Sequence, residues 1–243
     1  MKTNAIIQAR CGSTRFPNKV FALIDGKPLI WHVVNRLKYA KTIDDIIIAT
    51  TTNKIDDIIE KWCDENMVKC YRGSEDDVLN RFYFAHQAFP SDYIVRITAD
   101  DPFKEPYVID KVVNTLISEK LDYVTNNYPP SFPEGMDCEA FTKETLEIME
   151  KKATESIERE HVTQYVFRHL DEFKIKNIMC DRMLKQYRWT IDTKEDYEYV
   201  VAIYAARNNK KGLLFMDEIL SILESNPKIC NINSSVKRSL MYK

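Results

Sequence analysis

The first half of this sequence alternates short apolar runs with stretches of helical periodicity, and that alternation limits the fold more than any other feature. The alternating stretches lie at 5–7, 28–40, 46–49 and 55–66. The last of them has the i, i+3, i+4, i+7 spacing of one buried helix face, at Ile55, Ile58, Ile59 and Trp62. The pattern is typical of βαβ units and predicts an α/β fold built on a parallel sheet.

A strand predicted at 93–99 ends at two adjacent acidic residues. Pro102 disfavours helical geometry at Asp101, so Asp100 and Asp101 lie at the carboxyl end of that strand. Ligands of open α/β sheets bind at this end of the strands. A following helix is predicted from a second set of buried-face spacings, at Ile109, Val112, Val113 and Leu116.

The pattern changes after residue 120, where a proline-rich loop at 129–135 interrupts the alternation. So much proline excludes a central strand in this loop. The rest of the chain predicts strands at 123–125, 137–141, 173–179 and 188–191, helices at 143–153 and 156–169, and a final pair of helices. The first helix of that pair begins after Asp192, where Thr193 and Asp196 have capping-box spacing.

Composition excludes several classes of protein. The 35 Lys and Arg residues are balanced by 37 Asp and Glu, so no global positive charge favours nucleic acid. The apolar segment near the start is too short for a signal-peptide core or a membrane span, and we expect a cytoplasmic protein without a membrane partner. Six scattered cysteines without a Cys-x-x-Cys pair predict reduced thiols. The length is ordinary for one domain, predicted at 1–243.

The loop after the first strand has the composition of a phosphate-binding site. Gly12 lets the backbone approach a ligand closely, and the loop's amides and hydroxyls donate hydrogen bonds. Three cations offset the charge of a polyphosphate: Arg10, Arg15 and Lys19. The alternative is a solvated basic loop. Neither Gly-x-x-x-x-Gly-Lys-Ser/Thr nor Gly-x-Gly-x-x-Gly occurs, which disfavours a P-loop hydrolase and a dinucleotide dehydrogenase.

Six segments, in one order along nearly the whole chain, carry a family resemblance. They are residues 7–19 with 26–29, 72–79, 96–102, 134–139, 159–163 and 190–196. Together they resemble the cytidylyltransferase family of the KDO and acylneuraminate enzymes, and most closely its SpsF branch. The resemblance implies a three-layer, doubly wound, mostly parallel sheet of the Rossmann type, as in nucleotide-diphospho-sugar transferases. Gln8 and Asp101 depart from the pattern of the KDO and sialic acid enzymes, so the resemblance leaves the acceptor open.

The resemblance implies transfer of CMP from CTP to an acidic sugar, phosphate or phosphonate acceptor, with release of pyrophosphate, for surface polysaccharide or glycoconjugate biosynthesis. It implies Mg²⁺ as cofactor, held by Asp100 and Asp192, and two carboxylates are a sufficient protein contribution to a magnesium site. The implied catalytic residues are Arg10, Lys19, Asp100 and Asp192. The implied nucleotide-binding residues are Ala9, Arg10, Gly12, Ser13, Arg15, Lys19, Arg72, Gly73, Ser74, Thr98 and Asp100.

The acceptor side is expected in a dimerisation and acceptor region near 126–180, and the resemblance implies a homodimer. Asp137 and Glu139 could point the same way from an extended strand and bind hydroxyl or amine groups, or they could form a surface pair on an edge strand. Arg159 and His161 are candidates for binding an acidic substrate. The alternative for His161 is a histidine packed within a helix.

Two other functions fit parts of this pattern. A nucleotide-sugar-dependent glycosyltransferase shares the doubly wound sheet, and fold alone does not exclude it. Its acidic motif is normally Asp-x-Asp, whereas Asp100 and Asp101 are adjacent here. A non-catalytic nucleotide-binding protein is the second alternative. A cationic first loop suits a free triphosphate better than a nucleoside diphosphate sugar, so we favour the nucleotidyltransferase.

Overall fold

The computed structural model describes residues 1–208 and 212–237. Its strands are β1 Thr3–Gln8, β2 Leu23–Ile24, β3 Lys27–Pro28, β4 Asp45–Thr51, β5 Lys69–Gly73, β6 Tyr93–Thr98, β7 Tyr123–Thr125, β8 Glu139–Thr142 and β9 Ile175–Asn177. Its helices are α1 Leu29–Leu37, α2 Asp57–Glu65, α3 Val78–Ala88, α4 Pro106–Ser118, α5 Lys143–Lys152, α6 Ser156–Glu160, α7 Gln164–Arg168, α8 Lys194–Ala205 and α9 Met216–Ser225. The predicted domain at 1–243 also includes 209–211 and 238–243, which lie outside the described residues.

Seven strands form one mostly parallel sheet in the order β5-β4-β1-β6-β8-β7-β9. Strand β1, the first along the chain, pairs in parallel with β4 on one side and with β6 on the other. Within this sheet β8 runs antiparallel to its neighbours β6 and β7, while β2 and β3 form a separate antiparallel pair. The predicted fold class is confirmed, and its parallel half places the carboxyl ends of β1, β4, β5 and β6 at one edge.

Helices cover both faces of the sheet because successive strand residues point to opposite sides. Ile7 packs into a large core with α1, α2, α4, α8 and α9, whereas Ile6 packs into a second core with α3 and α5. Nearly all of β1 is buried, as expected for a strand covered by helices on both faces. The arrangement is the predicted three-layer sandwich.

Two predicted elements were wrong. Residues 188–191 form no strand, and the backbone pairing in this segment is limited to an isolated β-bridge between Arg188 and Glu134. The single helix predicted at 156–169 is two short helices, α6 and α7. Val162 between them has a positive φ of 26°, which breaks the helix even though its side chain is fully buried.

The sequence patterns also missed two elements and assigned two exposed residues to the core. Strand β5 and helix α3 were not predicted. On α2, Ile59 and Trp62 are buried as predicted, but Ile55 and Ile58 are about half exposed. A 3-10 turn at 54–56 precedes this helix and changes the phase of the pattern at its start.

Two smaller predictions about helices were confirmed. All four apolar positions on the predicted face of α4 are buried. The Thr193 side chain accepts a hydrogen bond from the Asp196 amide, and the Asp196 side chain accepts one from the Thr193 amide, which completes the capping box of α8. The six cysteines are free thiols. Within the described ranges, no helix has the length and apolarity to cross a membrane.

Candidate active site

A polar cleft of about 780 Å³ opens at the carboxyl ends of β1 and β6. Its walls come from the loop after β1, the turn after β6, the start of α3, the segment 134–137, helix α6 and the residues that precede α8. The predicted site residues that line it are Ala9, Arg10, Ser13, Arg15, Lys19, Thr98, Asp100, Asp137, Arg159, His161 and Asp192. The cleft therefore lies at the edge where open α/β sheets bind ligands.

The first loop, residues 9–19, is folded by backbone hydrogen bonds onto a buried anchor. The Cys11 carbonyl accepts from the amides of Ser13 and Asn18, at 2.9 and 3.0 Å. The Cys11 amide donates to Asp56 Oδ1 at 2.7 Å, which ties the loop to the segment after β4. Burial, with the nearby Asp56 carboxylate, raises the pKa of the Cys11 thiol to about 12, so this cysteine is an anchor rather than a nucleophile.

The loop ends on Lys19, whose ammonium is the centre of the site. Lys19 Nζ donates to Asp100 Oδ2 at 2.7 Å and to Asp192 Oδ1 at 2.9 Å. Its third hydrogen bond goes to the Ile191 carbonyl at 2.8 Å. The structure thus brings together a residue from the first loop, one from the end of β6 and one that lies 92 residues further along the chain.

Burial and charge act in opposite directions on these groups. Burial would lower the pKa of Lys19, but the Asp100 and Asp192 carboxylates outweigh it and the pKa is raised. Burial would likewise raise the pKa of Asp100, but the Lys19 ammonium and hydrogen bonds from Lys19 and Thr98 lower it. Both partners are therefore charged at neutral pH. Their side chains remain 11 and 25% exposed, so the pair faces the cleft.

Arg188 fixes the position of Asp192 from behind. Its guanidinium donates to Asp192 Oδ2 at 2.8 Å and to Asp196 Oδ1 at 2.9 Å, and it lies 2.7 Å from Glu134 Oε1. Asp196 is fully buried. Burial would lower the pKa of Arg188, but the Asp196 and Glu134 carboxylates raise it, and the charged side chain holds the 134–135 segment against the start of α8.

Gly135 allows that segment to pass close to the chain before Asp192. Its φ of 100° belongs to the left-handed side of conformational space. A Cβ at this position would lie 2.6 Å from the Thr190 amide nitrogen and 2.8 Å from the Trp189 carbonyl carbon. Only glycine fits there without moving backbone.

The two arginines of the first loop are more exposed. Arg10 lies 3.2 Å from Glu75 Oε1, and Arg15 lies 3.2 Å from Asp192 Oδ1. Their side chains are 48 and 59% exposed, so water screens both pairs and each guanidinium can exchange its partner at little cost. Gly12 is exposed on the same loop and does not line the cleft.

A buried cation, Arg81 on α3, forms part of the opposite wall. Its Nη1 donates to the Ser74 carbonyl, while its buried Nε has no hydrogen-bond partner in the structure. Burial, reinforced by the charge of Arg10, lowers the pKa of Arg81 to about 10. The first turn of α3 is held by the Asp77 side chain, which accepts from the Asn80 amide at 2.9 Å.

The predicted acceptor residues Asp137 and Glu139 differ in their surroundings. Asp137 is half-buried and lines the cleft. Glu139 is buried below the cleft surface, where it binds the Arg96 guanidinium and accepts hydrogen bonds from the Tyr123 and Thr163 hydroxyls. Burial would raise the pKa of Glu139, but the Arg96 charge and these hydrogen bonds lower it, so its carboxylate is ionised and occupied.

Helix α6 carries the other two predicted acceptor residues. Arg159 binds Asp77 Oδ2 at 2.7 Å and Glu150 Oε2 at 2.8 Å, so it ties α6 to α3 and α5 while lining the cleft. His161 ends this helix and lines the cleft as well. Burial lowers the pKa of His161, which leaves its imidazole neutral at neutral pH.

Arg72, Gly73 and Ser74 do not line the cleft. Arg72 is bound to the side of α2, with Nη2 at 2.7 Å from Asp57 Oδ1 and Nη1 at 2.8 Å from Glu60 Oε2. The residues that follow on the way to α3 take its place at the wall.

Adjacent Asp100 and Asp101 have different partners. Asp100 faces Lys19 in the cleft, whereas Asp101 accepts from the Thr98 hydroxyl at 2.6 Å and lies 2.7 Å from Lys104 Nζ. Lys104 is buried and also donates to the Asp137 carbonyl. Asp101 therefore supports the turn that presents Asp100 and connects it to the acceptor wall.

The sequence patterns missed Arg81, Arg96 and Arg188 as site residues. Arg96 lies within a strand, and Arg81 lies within a helix that was not predicted. The sequence does place Arg188 four residues before Asp192 and eight before Asp196, and this nearness was a signal that could have pointed to Arg188. No repeating pattern marks that relation, since the intervening residues form no regular element.

The chain is similar to known proteins in both sequence and structure. A family model described as cytidylyltransferase matches residues 4–226. The chain is 34% identical over 229 residues to the spore coat polysaccharide biosynthesis protein SpsF of Bacillus subtilis, covering 91% of this chain and 94% of SpsF. It is 32% identical over 119 residues to the 3-deoxy-manno-octulosonate cytidylyltransferase of Pelobacter propionicus, which is 49% of this chain and 46% of that protein.

Several solved structures share the fold. A cytidylyltransferase from Leptospira borgpetersenii superposes with a TM-score of 0.89 at 31% identity, covering 95% of this chain and 97% of that one. The CMP:2-keto-3-deoxy-manno-octonic acid synthetase complexed with CTP superposes with a TM-score of 0.64 at 16% identity, covering 84 and 99%. The second similarity concerns the fold alone.

Proposed function

The chain belongs to the cytidylyltransferase family, and from this premise we propose that it transfers CMP from CTP to an acidic sugar, phosphate or phosphonate acceptor and releases pyrophosphate. The observation that supports the proposal most strongly is the meeting of Lys19, Asp100 and Asp192 in the cleft. SpsF carries polysaccharide biosynthesis in its name, and a synthetase of the same fold is described in complex with CTP. We place the reaction in surface polysaccharide or glycoconjugate biosynthesis.

In the proposed reaction an acceptor oxygen attacks the α-phosphorus of CTP. The new bond joins that oxygen to phosphorus, the bond to the bridging oxygen between the α- and β-phosphates breaks, and pyrophosphate leaves with its electrons. Where the acceptor is a hydroxyl, its proton passes to water. The protein has little covalent work to do, so positioning and charge dominate. Arg10, Arg15 and Lys19 stabilise the negative charge that develops on the triphosphate. Ser13 and the loop amides donate hydrogen bonds to phosphate oxygens.

Arg10 and Arg15 suit this role because their present ion pairs are exposed and weak. Arg81 adds a buried guanidinium on the facing wall, and a phosphate oxygen is a suitable acceptor for such a donor. The cleft would then hold the triphosphate between the first loop and α3. Base and ribose would lie towards residues 75–77, which line the cleft.

A magnesium ion fits the donor set of this cleft. The ammonium that bridges the Asp100 and Asp192 carboxylates is a cation in the position where both donors converge. Within the residues that the structure describes, no cluster of three His, Cys, Asp or Glu side chains offers a fuller cage. Asp100 and Asp192 would therefore hold Mg²⁺ together with phosphate oxygens and water. When bound, Mg²⁺ would neutralise phosphate charge and polarise the α-phosphate.

The acceptor would lie on the side formed by Asp137, Arg159 and His161. Asp137 offers a carboxylate to hydroxyl or amine groups, and Arg159 offers a cation to an acidic group after releasing part of its hold on Asp77. Glu139 acts indirectly, because its carboxylate is used to orient Arg96 at the cleft wall. A homodimer through the region near 126–180 remains a prediction.

The test is a pyrophosphate-release assay with the purified full chain, Mg²⁺ and each of four nucleoside triphosphates. The acceptor pool contains acidic sugars and small phosphorylated and phosphonate compounds. Of the four nucleotides, we expect only CTP to give strong pyrophosphate release in the presence of acceptor. Asp100→Asn should lose this release. Lys61→Gln, which changes an exposed ion pair on α2, should keep it. Equal rates with all four nucleotides would refute the choice of CTP. Turnover of a sugar nucleotide without pyrophosphate would indicate a glycosyltransferase instead.

A further inference from the structure

The cations of the first loop are already paired with carboxylates before any nucleotide binds. Arg10 is paired with Glu75, Arg15 with Asp192, and Lys19 with both Asp100 and Asp192. Lys19 differs from the two arginines because it is buried. Its two carboxylates are also the two proposed magnesium ligands.

Lys19 has no hydrogen-bonding capacity left for a phosphate. An ammonium group has three donors, and those of Lys19 bind Asp100 Oδ2, Asp192 Oδ1 and the Ile191 carbonyl, at 2.7 to 2.9 Å. Contact with a phosphate oxygen therefore requires the loss of at least one of these bonds. The Asp carboxylates are the partners that a metal ion could take over.

The same contacts disfavour metal binding in the absence of nucleotide. The ammonium compensates both carboxylates and occupies the space between them, and Arg15 and Arg188 also contact Asp192. A divalent ion arriving alone would meet two carboxylates and up to three neighbouring cations. The positive charges of these cations oppose binding of the ion. Because the site is partly shielded from water, the repulsion is stronger than it would be in solution.

We propose that Lys19, besides contacting the triphosphate, keeps the metal site closed until nucleotide binds, by holding Asp100 and Asp192 itself. The triphosphate draws the ammonium onto its own oxygens, and the freed carboxylates then accept the ion. This inference rests on the proposed function. It predicts that metal and nucleotide bind with positive coupling, and such coupling is reciprocal.

Arg188 makes this exchange feasible without collapse of the site. It contacts Asp192 through Oδ2, whereas Lys19 and Arg15 use Oδ1, so the carboxylate keeps its orientation when the ammonium leaves. Asp100 is likewise followed by Asp101, which is fixed by Lys104. Lys19 itself has a long flexible stem and lies at the start of a 3-10 turn.

The experiment measures Mn²⁺ binding to the full chain without nucleotide, by electron paramagnetic resonance of the free ion. We expect Lys19→Gln and Lys19→Met to bind Mn²⁺ at least tenfold more tightly than the wild type, which corresponds to about 1.4 kcal/mol. Arg10→Gln is the matched control, because it removes a cation from the same loop that contacts neither aspartate. Its Mn²⁺ affinity should stay within twofold of the wild type.

Melting with and without Mn²⁺ provides a second readout that does not need activity. Mn²⁺ should raise the melting temperature of the Lys19 variants more than that of the wild type, and adding Asp192→Asn to Lys19→Gln should remove the gain. Equal Mn²⁺ affinity of the wild type and both Lys19 variants, whether strong or undetectable, would overturn the inference. The assay contains no CTP or acceptor, so its failure is separate from a failure of pyrophosphate release.

Discussion

Replacement of Glu139 by Gln tests whether this residue binds the acceptor or supports Arg96. The side chains of Arg96 and Glu139 are 9 and 6% exposed, and breaking one partner of such a buried pair costs about 3–5 kcal/mol. Glutamine keeps most of the volume and can still accept from the Tyr123 and Thr163 hydroxyls. We therefore expect the lower end, about 3 kcal/mol, which lowers the melting temperature by about 6–12 °C in a chain of this size.

Asp137→Asn is the matched control, because it makes the same chemical change two residues away on the cleft wall. We expect it to cause a much smaller melting shift and to raise the KM of the acceptor with little effect on CTP. Thermal unfolding followed by circular dichroism, with acceptor and CTP titrations of both variants, separates the two roles. If Glu139→Gln left the melting temperature within 2 °C of the wild type and raised only the acceptor KM, the supporting role would be refuted.

Three further predictions concern the same cleft. Asp100→Asn and Asp192→Asn should each lower kcat by about 10²–10³, as expected for loss of a transition-state charge partner, while CTP affinity from titration calorimetry changes far less; an equal loss in both quantities would contradict this. Lys19 lowers the pKa of Asp100, so this carboxylate stabilises the fold above about pH 4 and the contribution is lost as pH falls towards 2. In urea unfolding, the stability difference between wild type and Asp100→Asn should therefore shrink over that window, and a constant difference would exclude the link. Gly135→Ala should cost about 3 kcal/mol or more, because its Cβ meets backbone at 2.6 Å, whereas Gly12→Ala meets nothing closer than 3.5 Å and should melt near the wild type.

The parallel half of the sheet could be predicted because its strands are apolar runs with helices between them. Ile6 and Ile7 on β1, and Ile47 and Ile48 on β4, show that pattern directly. Helix α3 was missed because its buried positions include Arg81 and His86 beside the apolar residues. Periodicity of apolar residues does not register a buried cation.

The convergence of the first loop with Asp100 could be predicted from the rule that ligands bind at the carboxyl ends of parallel strands. The environment of Glu139 could not. It depends on the register that places Glu139 directly opposite Arg96 on the neighbouring antiparallel strand. A spacing of two residues suggested that Asp137 and Glu139 share a face, but strand β8 begins only at Glu139, so the alternation does not extend to Asp137.

The same limit applies to Arg188. A strand was predicted where the chain is irregular, and this irregular course allows one guanidinium to reach Glu134, Asp192 and Asp196 together. A buried cation among three carboxylates is a tertiary feature, which local propensity does not encode. The sequence could therefore nominate Asp192 as a metal ligand while giving the wrong local structure for the residues just before it.

The fate of the phosphorus atoms tests the central proposal most directly. The full chain is incubated with Mg²⁺, acceptor and CTP labelled with ³²P at either the α- or the γ-phosphate, and the products are separated by charge. We expect the α-label to move into the acceptor product, while the γ-label appears only in pyrophosphate. Release of the γ-label as inorganic phosphate, or an α-label found only in CTP, CDP or free CMP, would contradict this proposal.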